Sequence, residues 1–294
     1  MNPARTGSRV PADRASQSSE DHTSQSSGDS AGHSADDLAS SASRDSEGDS
    51  ADDLAIVADG LTRHFGSIVA VSDLDLRIPT GTVYGFLGPN GAGKTTTIEM
   101  LTTLLPPTAG EARVAGIPVT DRDRLKPHIG YLPHESPVYE SFTAREQLAY
   151  AADLRRLDAD QADERIETLL ARVDLLADAD KRIGTYSQGM RRKVGLVQAL
   201  LHEPAVAFLD EPTNGLDPRA SRTVIELISE QVEQGTTVFL STHILLVVEE
   251  LADTIGVLYR GRLVAEDSPD RLGTRETGGT LEEAFLEVTT DQSV

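Results

Sequence analysis

The sequence predicts an α/β fold with a parallel sheet, and three observations predict it. Short apolar runs at 82–88 ("TVYGFLG"), 205–211 ("AVAFLDE") and 236–243 ("TTVFLSTH") read as strands buried on both faces. Longer stretches with helical spacing alternate with them, which asks for helices covering a parallel sheet. A glycine-rich segment, "GPNGAGKT" at 88–95, sits between one such strand and one such helix.

The elements follow in order. Residues 1–53 form a tail of Ser, Asp, Gly and Ala in which "SQSS" and "SADDLA" each occur twice. It has too little apolar surface to offset the entropy of ordering it. From about Ile56, "AIVADGLTRHFGSIVAVSDLDLRIPTG" alternates apolar and polar residues between glycines and prolines, the pattern of several strands. The 82–88 strand enters the glycine loop, and "KTTTIEMLTTLL" after it is helical. "TAGEARVAGIPV" at 108–119 returns to short strands or turns. A helical insert is expected between about 135 and 200. "TARE" at 143–146 has the form of a capping box. Ile166, Leu169, Leu170 and Val173 mark the face of a second helix. Met190, Val194, Val197 and Leu201 mark a third, stopped by Pro204. Residues 221–234 read as an amphipathic helix ended by Gly235.

The chemistry gathers at the ends of the apolar strands. Gly88, Pro89, Asn90, Gly91, Ala92, Gly93, Lys94 and Thr95 fit G-x-x-x-x-G-K-[ST]. Glycines let successive N–H groups turn inward onto phosphate oxygens, and the helix start adds its positive end. Lys94 can reach the outer phosphates of a nucleotide and the Thr95 hydroxyl can ligate Mg²⁺. Asp210 and Glu211 close the next buried strand. The first is placed to serve Mg²⁺, the second to polarise a water for attack on phosphorus.

These landmarks, together with "GYLPHE" at 130–135, "YSQGM" at 186–190, "FLDEPTNGLD" at 208–217 and "STH" at 241–243, resemble the nucleotide-binding subunit of an ATP-binding cassette (ABC) transporter. The likeness spans about residues 55–290. It implies a P-loop NTPase core with a parallel sheet, an N-terminal antiparallel β subdomain and an inserted helical subdomain, within a domain of residues 54–290. By the same resemblance ATP and Mg²⁺ are the cofactors. Phe65 stacks on adenine, and the loop from Gly88 to Thr96 holds the phosphates. Lys94, Glu211 and His243 act in catalysis, with Glu211 as general base. Ser187, Gly189 and Asp217 reach ATP bound to the opposite copy in a head-to-tail homodimer. Thr95 and Asp210 are the Mg²⁺ positions. His134 stands where the family commonly has a glutamine, which leaves a metal role for it open. Gln188 replaces a glycine of the familiar signature. "LEEAFLEV" at 281–288 resembles the ending of drug-resistance exporter ATPases, whose permease is a separate chain. The implied work is ATP-driven export from the cytoplasmic face of the membrane, as a peripheral subunit. The loop around His134, with "SPVYESFTA" at 136–144, is the expected permease contact. A soluble ABC-type ATPase acting on ribosomes or DNA is the alternative.

Composition narrows the setting. The formal net charge is −21, from 48 acidic and 27 basic residues, and only four of the basic residues are lysine. Residues 1–54 carry 11 acids and four arginines, so most of the imbalance lies in the rest of the chain. Low lysine with spread acid fits a protein adapted to a salt-filled cell, where ions screen the repulsion; an ordinary acidic protein shares the sign. Such a surface disfavours nucleic acid as a partner. There is no cysteine, which excludes disulfides and thiolate metal sites. The N-terminus lacks the apolar core of a secretory signal, and no apolar run approaches membrane-spanning length. His128 and His202, without motif context, are expected at the surface.

An imidazole accepts a hydrogen bond only when neutral, and it titrates near neutrality. His134→Gln is therefore expected to flatten the acidic limb of the pH–rate profile for ATP hydrolysis. An unchanged profile would show that the imidazole takes no part.

Overall fold

The computed structural model describes residues 53–274. The rest of the expected tail and the "LEEAFLEV" ending lie outside the described residues. The first elements are β1 (Leu54–Phe65), β2 (Ile68–Pro79), β3 (Val83–Leu87), α1 (Lys94–Leu101), β4 (Ala109–Val114) and β5 (Ile117–Pro118). Next come α2 (Arg122–Leu125), β6 (Ile129–Leu132), α3 (Ala144–Arg155), α4 (Ala159–Arg172) and α5 (Gln188–Leu200). The remainder are β7 (Val206–Asp210), α6 (Pro218–Glu233), β8 (Thr237–Thr242), α7 (Leu245–Leu251), β9 (Thr254–Tyr259), β10 (Arg262–Asp267) and α8 (Pro269–Thr274).

Two sheets form. One is antiparallel in the order β2-β1-β4-β5; the other runs β10-β9-β3-β8-β7-β6. In the second, β6, β7, β8, β3 and β9 are parallel to their neighbours. Only β10, at the edge of this sheet, is antiparallel to its neighbour. The two-residue turn Arg260–Gly261, with φ of 49° and 79°, explains it. Two positive-φ residues make a tight turn that sends the chain straight back along its own strand.

The continuous apolar runs arise because the parallel sheet is buried on both faces. Alternate residues enter different cores. Val83 and Leu87 of β3, Ala207 and Leu209 of β7, and Val238 and Leu240 of β8 pack under the helices. Tyr84, Phe86, Phe208 and Phe239 point the other way, toward the antiparallel sheet. There Phe239 is the hub. Its ring centroid lies 5.1 Å from Phe86, 5.5 Å from Tyr84 and 5.7 Å from Phe208. A glycine marks one close helix–strand approach: a Cβ at Gly130 of β6 would lie 2.1 Å from the Ala199 carbonyl of α5.

Helix ends obey the sequence signals. The Thr143 hydroxyl accepts from the Glu146 N–H at 3.1 Å, and Glu146 Oε2 accepts from the Thr143 N–H at 2.8 Å, completing the capping box. α6 begins three residues before its expected start, because Asp217 caps it with Pro218 in the first turn. Gly235, at φ 97°, lies just past its end. His128 is exposed as expected. His202 is half-buried rather than fully exposed, with Nε2–H donating to the Ile129 carbonyl at 3.0 Å. Burial, reinforced by the nearby Arg155 and Arg165 charges, lowers its pKa to about 4.

His202 is thus neutral when folded, and its folded pKa lies below the unfolded one. The stability linked to it is complete above the unfolded value and is lost as pH falls toward the folded one. Denaturant unfolding is expected to show a loss of about 2 kcal/mol between pH 7 and 5 from this residue. His202→Gln should remove that slope.

Candidate nucleotide site

Parallel register assembles the site. Leu87 pairs with Thr242, and Asp210 with Ser241, so β3, β7 and β8 end side by side. The glycine loop, Asp210 with Glu211, and Ser241 to His243 therefore meet at one edge. Leu132 pairs with Leu209, which brings His134 to the same edge. A cleft of about 510 Å³ opens there. It is lined by Asn90, Gly91, Gly93, Lys94, Thr95, Thr96, His134, Asp210, Glu211 and His243, joined by Ala70 and Asn214.

The loop's shape depends on glycine. Gly93 precedes α1 at φ 113°, and a Cβ there would meet the Ala70 carbonyl at 2.4 Å. Lys94 is buried, and its ammonium donates to the carbonyls of Gly88 at 2.6 Å and Pro89 at 3.3 Å. Burial lowers its pKa, opposed by the Glu211 and Asp210 carboxylates. Gly88, Pro89 and Ala92 form the back of the loop; the Ala92 N–H donates to the Pro89 carbonyl at 3.2 Å.

Asp210 is buried and held at both oxygens. The Thr95 hydroxyl donates to Oδ2 at 2.9 Å and the Ser241 hydroxyl donates to Oδ1. A hydroxyl and a carboxylate side by side are hard oxygen donors. They fit Mg²⁺, which keeps most of its shell as water and phosphate oxygens. Glu211, 5% exposed, has its backbone at φ 56°. Its N–H donates to the Ser241 carbonyl at 2.9 Å, and its carbonyl accepts from the Asn214 N–H at 3.0 Å. Its carboxylate accepts from the Thr242 hydroxyl at 3.1 Å and from Nδ1 of His243 at 2.8 Å.

Beneath the cleft lies Arg192, which motif reading missed. Its guanidinium donates to the carbonyls of Pro133, His134 and Asp210. Burial lowers its pKa to about 10 against the raising effect of Asp210 and Glu211. It joins the start of α5 to the His134 loop and to the end of β7. Nothing in "MRRKV" distinguishes it from the half-buried Arg191 by sequence; only the tertiary carbonyl arrangement does.

Seven of the expected residues are absent from the cleft lining: Gly88, Pro89 and Ala92 at the back of the loop, and four that lie apart from it. Phe65 is at the tip of the β1–β2 hairpin, paired with Ile68, 45% exposed, with the Arg63 guanidinium 4.7 Å from its ring centre. Ser187 caps α5, accepting from the Met190 N–H at 3.2 Å, and Asp217 caps α6, accepting from the Ala220 N–H at 2.9 Å. Gly189 packs against the loop after β7, where a Cβ would meet Leu216 at 2.9 Å.

Comparison with known proteins agrees with this geometry. A family model described as "ABC transporter" matches residues 71–214. The daunorubicin resistance ATP-binding protein DrrA3 of Streptomyces coeruleorubidus is 43% identical over 225 residues, covering 76% of this chain and 71% of its own. A solved ATP-binding subunit of an ABC transporter is 30% identical with a TM-score of 0.75, covering 81% of this chain and all of its own. A dimeric ATP-binding cassette, solved in a post-hydrolysis state with ADP and Pi, shares the fold at 24% identity and a TM-score of 0.67, covering 72% of this chain and 98% of its own.

Arg192→Met is expected to leave three carbonyls without their donor and to cost about 3 kcal/mol of stability. Arg192→Lys should rescue little, because an ammonium cannot span them as a planar fork does. Denaturant midpoints of the two variants would check this; a lysine variant at wild-type stability would contradict it.

Proposed function

The chain belongs to the ABC transporter family as an ATP-binding subunit with ATPase activity, and from that premise we propose that it hydrolyses Mg·ATP in the cleft described above to drive export by a separate membrane permease. The observation that carries the reading is the Glu211 carboxylate, buried, directed into the cleft beside the glycine loop and held by two side chains.

In this reading Lys94 leaves the Gly88 carbonyl for the β- and γ-phosphates, and the N–H groups of the loop through Thr96 cradle them. Thr95 and Asp210 would hold Mg²⁺, a role left open for His134 of the same cleft lining, and the ion would supply positive charge against the phosphates. Glu211 takes a proton from the attacking water, and His243 turns toward the γ-phosphate. Phe65, exposed on its hairpin, offers an aromatic face to the adenine. Ser187, Gly189 and Asp217 stand apart from their own chain's cleft, which supports a role at a second copy's nucleotide in a head-to-tail homodimer. The dimeric solved cassette is consistent with that arrangement.

The permease surface is proposed at the His134 loop and the helices that follow. Tyr139, Phe142 and Tyr150 form an interlocked ring cluster, with centroids 5.2 to 6.1 Å apart and Tyr139 and Tyr150 exposed. Beside it a cleft of about 700 Å³ is lined by Arg122, Lys126, Arg155 and Arg156, with Asp123 the single carboxylate. In a chain of net charge −21 this is a concentrated positive site. Among the described residues no helix is long and apolar enough to cross a membrane. A peripheral place on the cytoplasmic face follows from the proposal. So does the division into an acidic tail (1–53) and an ATPase domain (54–290) with a helical insert at 135–200. The lysine-poor acidic surface supports a haloarchaeal or similarly salt-adapted source. Export is supported by the likeness to the daunorubicin resistance protein. The soluble ABC-type reading, on ribosomes or DNA, is not favoured.

Glu211→Gln is expected to bind ATP as the parent does while turnover falls by about 10²- to 10⁴-fold. Tagged Glu211→Gln protein, purified in high KCl with Mg·ATP from solubilised membranes, should bring a stoichiometric multi-span chain. Parental turnover would overturn the role of Glu211. A ribosome-bound or partner-free dimer would overturn the transport assignment.

A further inference from the structure

We propose that Thr242 is the positioning residue for Glu211, and that it divides the work of the two carboxylate oxygens: Oε2 is the anchored oxygen and Oε1 the one that takes the proton. This rests on the reading of Glu211 as general base.

The argument starts from a hydroxyl's single proton. The Thr242 oxygen accepts from the Ile244 N–H at 3.1 Å, which occupies a lone pair. Its own proton is then directed to Glu211 Oε2 at 3.1 Å. Thr242 has no exposed surface and sits at the end of a central parallel strand, so this donor cannot wander. The other partner differs. His243 Nδ1 meets Oε1 at 2.8 Å, but half of its side chain is exposed to the cleft. One carboxylate oxygen is therefore fixed by a buried donor, and the other is covered by a side chain free to leave.

The anchor matters because the Glu211 backbone does not supply rigidity cheaply. Its φ of 56° is a left-handed conformation that a side-chain-bearing residue adopts at a cost. With Oε2 held, rotation of the carboxylate is blocked when His243 departs. Oε1 then faces the space His243 vacates. A water there loses one proton to Oε1 as its oxygen bonds to the γ-phosphorus. The bond from that phosphorus to the bridging oxygen breaks, and ADP keeps the bridging oxygen.

The test uses the full chain and two substitutions of opposite character. Thr242→Val keeps the shape and removes the hydroxyl; Thr242→Ser keeps the hydroxyl and removes a methyl. Thr242→Val is expected to lower kcat for ATP about tenfold, with KM and the affinity for a fluorescent ATP analogue within about twofold of the parent. Thr242→Ser should return kcat to within about threefold of the parent. In the Glu211→Gln background, Thr242→Val should change the residual rate by less than about twofold, because there is no base left to position. If Thr242→Val folds poorly, Thr242→Ala carries the same expectations. The proposal is overturned if Thr242→Val turns over at the parental rate. It is also overturned if serine and valine lose equally, if analogue affinity falls with kcat, or if the two substitutions add. A parent chain that binds the analogue but never releases phosphate would instead overturn the ATPase reading beneath it.

Discussion

Asp210 ties together three pieces of chain, two through its carboxylate and one through its backbone carbonyl. One oxygen receives the Thr95 hydroxyl from the start of α1, the other the Ser241 hydroxyl from the end of β8, and its carbonyl receives Arg192 from α5. A buried carboxylate is tolerated only when its lone pairs are met, so these elements are bound to one spacing. Loop, strand ends and helical region depend on that spacing. The cleft exists because β3, β7 and β8 stop in step, and Asp210 is what their stopping points share.

Away from the cleft, two residues have a capping role beside the one proposed for them. Ser187 and Asp217 spend their side-chain oxygens on the first turns of α5 and α6. Capping shapes those helix starts, and a helix start carries exposed N–H groups and a partial positive charge. The loop after β7 and the start of α5 pack on each other through Gly189 and Leu216. Ser187 and Asp217 both lie outside the lining of the cleft at the glycine loop, which sets them apart for the role proposed at a second copy's nucleotide. A chain so divided has half of two proposed sites.

Much of this was legible in the sequence because it is local. Five apolar residues ending in Asp210 mean a strand buried on both faces, and "TARE" means a helix start; neither needs knowledge of the rest of the chain. The glycine loop is legible because its backbone demands restrict which residues can occupy it. What escaped depends on partners far away. The depth of His202 is set by its neighbours Ile129 and Arg155, not by its own surroundings in sequence. Arg192 finds three carbonyls that no spacing rule announces. Ser241 and Thr242 read as ordinary strand residues until the register places them against Asp210 and Glu211. The reversal of β10 was written in Arg260–Gly261, but only Gly261 is an obvious turn residue.

The positive φ of Glu211 places a side chain where a glycine would rest more easily, at a cost of order 1–3 kcal/mol. Selection for a sturdy fold and selection for turnover therefore pull this position in opposite directions. Where a copy of such a chain is released from the need to turn over, drift is free to reclaim that energy. The proposed base would be among the first residues surrendered, and the lineage would become more stable as it fell silent. A sturdier relative with a small residue at this place would be a record of lost work, written in its thermodynamics.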